Sequence, residues 1–187
     1  YRRQRQMCIR DSDREVPLLP VFVWFYILAF PFWAVGYLLA ARRGKDMFYR
    51  FVATDLTIHF ICFICFILIP TTNIRPEIPG NTLSEKILAL VYSLDGGNSP
   101  SNLFPSIHCY VSWMCWKGVE GSEKVPKWYQ RFSLVFAILI IISTQVLKQH
   151  YIVDAAAALL LVEFFWRFYQ KGQRHKWVVH VFAHKKK

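Results

Sequence analysis

Apolar residues in this chain come in long unbroken runs instead of the one-sided stripes of a soluble helix, and that pattern predicts membrane spans. Residues 18–41 carry no charged side chain over 24 positions, and about 20 apolar residues suffice to cross a hydrocarbon layer of roughly 30 Å. Residues 51–70 form a second run, with Asp55 and His59 one helical turn apart near its start and so directed at other helices. Residues 104–119 and 132–147 are each 16 long, short for a full crossing, which sets their ends near the membrane interface. Residues 151–168 make the last span, with Asp154 near its beginning and Glu163 towards its end. The 12 apolar residues 83–94 are too few to cross and read as an interfacial or re-entrant helix. The expected fold class is all-α: a polytopic membrane helical bundle of five spans occupying residues 16–169.

Charge between the runs orients them. Arg42, Arg43, Lys45 and Arg50 face a single acid, Asp46, in the first connection, which places it in the cytoplasm. Lys117, Lys124, Lys127 and Arg131 put a second connection on that side, as do the cations of a basic tail over residues 170–187. Alternation then sends residues 71–103 and the turn at 148–150 to the outside. One segment objects: the N-terminal residues 1–15 hold five arginines yet would lie outside. Their run Gln6-Met7-Cys8-Ile9-Arg10-Asp11-Ser12 resembles translated adapter sequence, and a preceding span, a sixth, would restore the rule.

Composition narrows the function classes. The net charge of +11 could suit nucleic acid, but the cations lie between apolar runs and form no single face, which favours a membrane surface as partner. Cys62 and Cys65 make a CxxC inside an apolar run without a second ligand pair, so a zinc site is not indicated. The tryptophans are expected at membrane interfaces.

Ionisable groups in spans are costly and suggest function. Here Arg75-Pro76, Pro105-Ser106-Ile107-His108, and Lys148, His150 and Asp154 lie far apart in sequence but at one expected membrane depth, on the outer side. His150 and Asp154 share a helical face at i, i+4. A carboxylate that holds an imidazole in one tautomer leaves its other nitrogen as a nucleophile. His108 supplies a second imidazole able to protonate a leaving oxygen. Arg75 and Lys148 add positive charge; Ser106 and the amides of the following helix add donors, a cradle suited to a phosphoryl group without a metal or other cofactor.

These segments resemble the signature of the type 2 phosphatidic acid phosphatase superfamily, which also contains vanadium haloperoxidases: Lys, six residues, Arg-Pro; Pro-Ser-Gly-His; and Ser-Arg, five residues, His, three residues, Asp. This chain offers Arg75-Pro76, Pro105-Ser106-Ile107-His108, and Ser143-Thr144 followed by His150 and Asp154. The resemblance implies that His150 forms a phosphohistidine, Asp154 orients it, His108 protonates the leaving alcohol, and Arg75 and Ser106 bind phosphate. Three positions depart from the pattern: Leu68 for Lys, Ile107 for Gly and Thr144 for Arg. Lys148 is the candidate replacement cation, and Lys148-Gln149-His150-Tyr151 resembles a bacterial branch near the sphingomyelin and inositol phosphorylceramide synthases.

The expected activity is hydrolysis of a lipid phosphate monoester or pyrophosphate at the outer face of the cell membrane. Transfer of a phospho head group to an alcohol is the alternative. An inactive relative is a third reading, and a haem protein ligated by His59, His108 and His150 a fourth. Read singly, His59 is a helix-packing polar residue, Ser143 and Thr144 are packing groups, and Pro105-Ser106 is a helix start.

Overall fold

The computed structural model describes residues 15–69, 71, 73, 75–96 and 102–183. Every regular element among them is helical, as expected. A 3-10 turn, Pro20–Phe22, leads into α1 (Val23–Ala41), then α2 (Lys45–Leu68), α3 (Leu83–Leu94), α4 (Ile107–Val119), α5 (Lys127–Val146), α6 (Ile152–Gln170) and α7 (Lys176–Ala183). The N-terminal run of arginines lies outside the described residues.

Three segments, Pro20–Ala41, Lys45–Leu68 and Lys127–Val146, are long and apolar enough to cross a membrane. The last two start earlier than the sequence runs suggested, because bounding a span by its outermost charge discards residues such as Lys127 and Arg131. Their long stems carry the charge to water while the helix continues. The other two expected spans fall short for different reasons. Helix α4 has 13 residues, about 20 Å of rise. Helix α6 has 19 residues, but Asp154, Glu163 and Arg167 fall within any stretch long enough to cross. Length and composition therefore support three of the five expected crossings.

Short as it is, α4 is the innermost helix. It packs against α5, α1, α6 and α2, and Cys109, Tyr110, Met114, Cys115 and Val119 are fully enclosed. The surface is partitioned in reverse of a soluble protein: Leu38, Phe60, Ile67, Val135, Leu160 and Phe164 are exposed, while Thr54, Asp55, Ser112, Ser143, Thr144 and Asp154 are buried. Hydrocarbon as solvent favours that arrangement, since polar groups then find partners only inside the bundle. Tyr37 Oη donates to Asp55 Oδ1 at 2.7 Å, and His59 lies 3.5 Å from that oxygen and 2.7 Å, through Nε2, from Tyr110 Oη. His59 is thus the helix-joining residue expected of it. Trp33 Nε1 donates to Ser112 Oγ at 2.9 Å and ties α1 to α4.

Two glycines permit the close approach. A Cβ on Gly36 would stand 2.6 Å from Cys115 Sγ, and one on Gly118 would stand 2.9 Å from the Phe51 ring. Such small residues let membrane helices pack backbone to backbone.

At the far end of α6, Arg50 Nη1 donates to the carbonyls of Tyr169 at 2.9 Å and Gln170 at 2.7 Å, capping the helix. Arg50 is itself held by Asp46 at 2.8 Å, and Asp46 also meets His175 Nε2 at 2.9 Å. Helix α7 completes this corner by burying Val178 against Ala53 and Tyr169.

Helix α3 matches its expected bounds. Thr82 and Glu85 form a capping box at its start. It buries Leu88 and Tyr92 against Val23, Tyr26, Val146 and Leu147, and leaves Leu83, Leu90 and Leu94 exposed. Twelve residues cannot cross, and the two-sided character suits an interfacial position.

The Gly36 contact yields a test. Gly36→Ala should destabilise the protein by about 1–3 kcal/mol, the usual cost of overpacking, read as a lower unfolding midpoint in detergent. An unchanged midpoint would mean that α1 and α4 separate freely.

Candidate active site

The site is built around the reversal between α5 and α6. Lys148 N donates to Gln145 O at 3.0 Å, while Thr144 O accepts from Gln149 N at 3.0 Å and from His150 N at 3.1 Å. This is a Schellman-type helix end with Lys148, at φ 52°, where glycine is usual. The left-handed conformation costs a non-glycine residue roughly 1–2 kcal/mol. Asn73 Nδ2 braces the turn by donating to Lys148 O at 2.8 Å. Where the family pattern has arginine, Thr144 thus contributes a carbonyl that holds the amides of Gln149 and His150, while its hydroxyl donates to Ile141 O at 2.7 Å.

The next helix begins at once. Asp154, in the first turn of α6, accepts from Tyr151 N at 2.9 Å. His150 therefore precedes α6 instead of sharing its face with Asp154, a departure from the i, i+4 expectation that arises because the carboxylate folds back to cap the turn. The two remain neighbours, with His150 Nδ1 3.5 Å from Asp154 Oδ2. The nearer partner of Nδ1 is the Leu103 carbonyl at 3.0 Å. Two acceptors beside one nitrogen fix the proton of a neutral imidazole on Nδ1, which leaves the lone pair on Nε2.

Ser106 and His108 approach from α4. Ser106 is fully buried; its Oγ accepts from Cys109 N at 3.3 Å, and its amide donates to Asp154 O at 3.3 Å. That bond fastens the start of α4 to the start of α6. With Ser106 as the cap, the amides of Ile107 and His108 lie in the first turn, where a helix offers no acceptor of its own. The His108 ring stacks on Tyr26 at 4.3 Å between centroids and packs beside Trp33 at 5.0 Å and Phe30 at 5.8 Å. It lies 6.4 Å, centroid to centroid, from the ring of His150. Its Nε2 is buried without a protein partner.

Arg75 reaches the same region differently from the expectation. Its guanidinium is almost fully buried, sits 4.6 Å above the Tyr92 ring, and donates to the Tyr92 carbonyl at 3.2 Å and the Asp95 carbonyl at 2.9 Å. It also donates to the Asp95 carboxylate and to Gln149 Oε1. Its charge is therefore balanced by Asp95, and it braces the residue next to His150.

Of the six residues singled out from the sequence, His150, Asp154, Ser106 and His108 converge directly, Arg75 joins them through Gln149, and Lys148 occupies the turn. His59 lies apart, on Asp55 and Tyr110. Leu103, Asp95 and Gln149 were missed. Leu103 acts through its backbone and left no side-chain signal. Asp95 pairs with Arg75 across 20 positions, and only Gln149, adjacent to His150, could have been suspected.

A helical, membrane-type bundle that buries a histidine–aspartate pair beside a second histidine defines the class of protein. The chain belongs to the PAP2 superfamily, whose family model matches residues 12–167, and the activity that goes with that membership is of the phosphatase type. No curated protein and no solved structure gives a match.

The strained turn can be tested separately from chemistry. Lys148→Gly should be about 1 kcal/mol more stable than Lys148→Ala, since both lose the side chain and only glycine relieves the conformation. Equal thermal midpoints for the two variants would contradict the helix-end assignment.

Proposed function

We propose that the protein is a lipid phosphatase of the cell membrane that hydrolyses a phosphate monoester or pyrophosphate through a phosphohistidine at His150, without a metal. The observation that carries this reading is the pair of acceptors on His150 Nδ1, at 3.0 Å and 3.5 Å, which leaves Nε2 as the nucleophilic nitrogen, with a second imidazole 6.4 Å away.

In the first step Nε2 attacks phosphorus, the phosphorus–oxygen bond to the lipid breaks, and the departing oxygen takes a proton from His108. The substrate's own negative charge supplies the counter-charge that an imidazolium at His108 needs inside its aromatic box. In the second step water attacks the phosphohistidine, returns a proton to His108, and releases phosphate and free Nε2. Asp154 stabilises the positive charge that develops on His150. Charge on the three equatorial oxygens calls for preorganised donors, and those at hand are the Ser106 hydroxyl, the amides of Ile107 and His108, and Lys148. Gln149 Nε2, buried without a protein partner, is a neutral donor that offsets the absence of arginine at Thr144. The distribution of cations supports an outward-facing site.

Phosphate release from short-chain phosphatidic acid and from an isoprenoid pyrophosphate, by purified protein in detergent with EDTA, tests the reading. His150→Ala should abolish release, and Asp154→Asn should lower kcat by roughly 10²–10⁴-fold. His108→Ala should slow the lipid substrate strongly but spare p-nitrophenyl phosphate, whose leaving group needs no proton. Full activity in His150→Ala would refute the mechanism. Phosphoryl transfer that occurs only when an alcohol is added would reassign the protein as a phosphotransferase.

A further inference from the structure

The end of α6 remote from His150 carries a groove that the chemistry above does not use. Its volume is about 400 Å³, and its walls bring Arg167, Lys171 and Arg174 together with Leu160, Phe164 and Phe168. One lining residue, Glu163, is acidic, and its carboxylate is already engaged by Trp113 Nε1 at 2.9 Å and Lys117 Nζ at 3.1 Å. Arg167 lies 3.5 Å from the other carboxylate oxygen of Glu163, yet its side chain remains 77% exposed. Arg174 is held 4.3 Å above the Phe168 ring, which fixes its guanidinium at the groove.

The composition of this groove is graded. Leu160 and Phe164 are among the most exposed large apolar residues of the bundle, at 71% and 63%, and they lie on the part of α6 nearer the middle of the bundle. The cations follow at the helix end and in the segment beyond it. From Asp154 to Lys171 is about 25 Å along the helix axis, close to one hydrocarbon thickness of roughly 30 Å. A ligand that fits such a surface has an apolar tail lying along Leu160 and Phe164 and an anionic head at the opposite leaflet.

We infer that this groove binds the phosphate of an anionic phospholipid in the leaflet opposite His150, with the acyl chains against Leu160 and Phe164. The inference rests on α6 crossing the membrane, as the apolar run over residues 151–168 predicts, and not on any chemistry at His150. The occupant is a lipid and not free phosphate because apolar surface is continuous with the cations, and basic pockets beside spanning helices hold anionic head groups in this manner.

The test uses the full chain in detergent micelles doped with phosphatidylglycerol, whose phosphodiester differs from the monoester proposed as substrate, or with phosphatidylcholine. Native mass spectrometry should show phosphatidylglycerol retained on the wild-type protein at collision energies that strip phosphatidylcholine. The triple variant Arg167→Gln, Lys171→Gln, Arg174→Gln should weaken retention by on the order of a hundredfold. Lys124→Gln, Lys127→Gln, Arg131→Gln, an equal change of charge on the same side but outside the groove, should leave it intact. Equal retention of both lipids by the wild-type protein would overturn the inference without recourse to any variant. So would an equal loss in the control triple variant, or displacement of phosphatidylglycerol by millimolar inorganic phosphate, since each points to surface charge or a free-anion site.

Discussion

Inside a hydrocarbon layer no water is available to complete a hydrogen bond, so every polar group that enters must bring its partner from the protein. The bundle is arranged around that constraint. Asp55 is admitted because Tyr37 and His59 meet it, and Ser112 because Trp33 does. The innermost helix, α4, is also the shortest candidate crossing and carries many of these contacts. Gly36 and Gly118 bring its neighbours close enough for bonds of ordinary length. The polar interior and the small-residue seams are thus two aspects of one packing solution.

The candidate site stands where that rule is relaxed. The ends of helices leave amides and carbonyls without intrahelical partners, and three such ends meet here: the close of α5, the start of α6 and the start of α4. Most of the orphaned groups are spent on one another, as when Thr144 O accepts two amides and Asp154 O accepts Ser106 N. These mutual bonds hold His150 between two caps, so the imidazole is positioned by backbone on either side. Beside them, His108 Nε2 and Gln149 Nε2 are buried side-chain nitrogens without a protein partner. Arg75 adds no isolated charge, because Asp95 balances it, and its contribution is to set the Gln149 side chain.

Much of this was readable in the order of residues. Long uncharged runs gave the helical class, and two short motifs singled out Ser106, His108, His150 and Asp154, which the fold brings together. Boundaries failed where they were drawn at charges, since Lys45, Lys127 and Arg131 continue their helices. The count of crossings was obscured by α4 and α6, whose short length or internal charges do not distinguish a span from a buried helix. Partnerships were hidden for a different reason. Leu103 acts through a carbonyl, which every residue possesses, and the Arg75–Asp95 pair depends on how α3 folds back, which no local pattern encodes. The left-handed turn at Lys148 was likewise invisible, because glycine would have announced it and lysine does not.

Helix α6 is fastened at each extremity to a different neighbour. Its first turn is tied to the start of α4 through Ser106 and Asp154, and its last carbonyls are held by Arg50 of α2. A rod pinned twice cannot slide. It behaves as a strut of fixed length between the start of α4 and the start of α2, so a thinner or thicker bilayer around the bundle is met by tilting the whole bundle and not by shearing one helix past another. The histidine at its head would then keep its geometry relative to Ser106 while its height above the lipid surface changes.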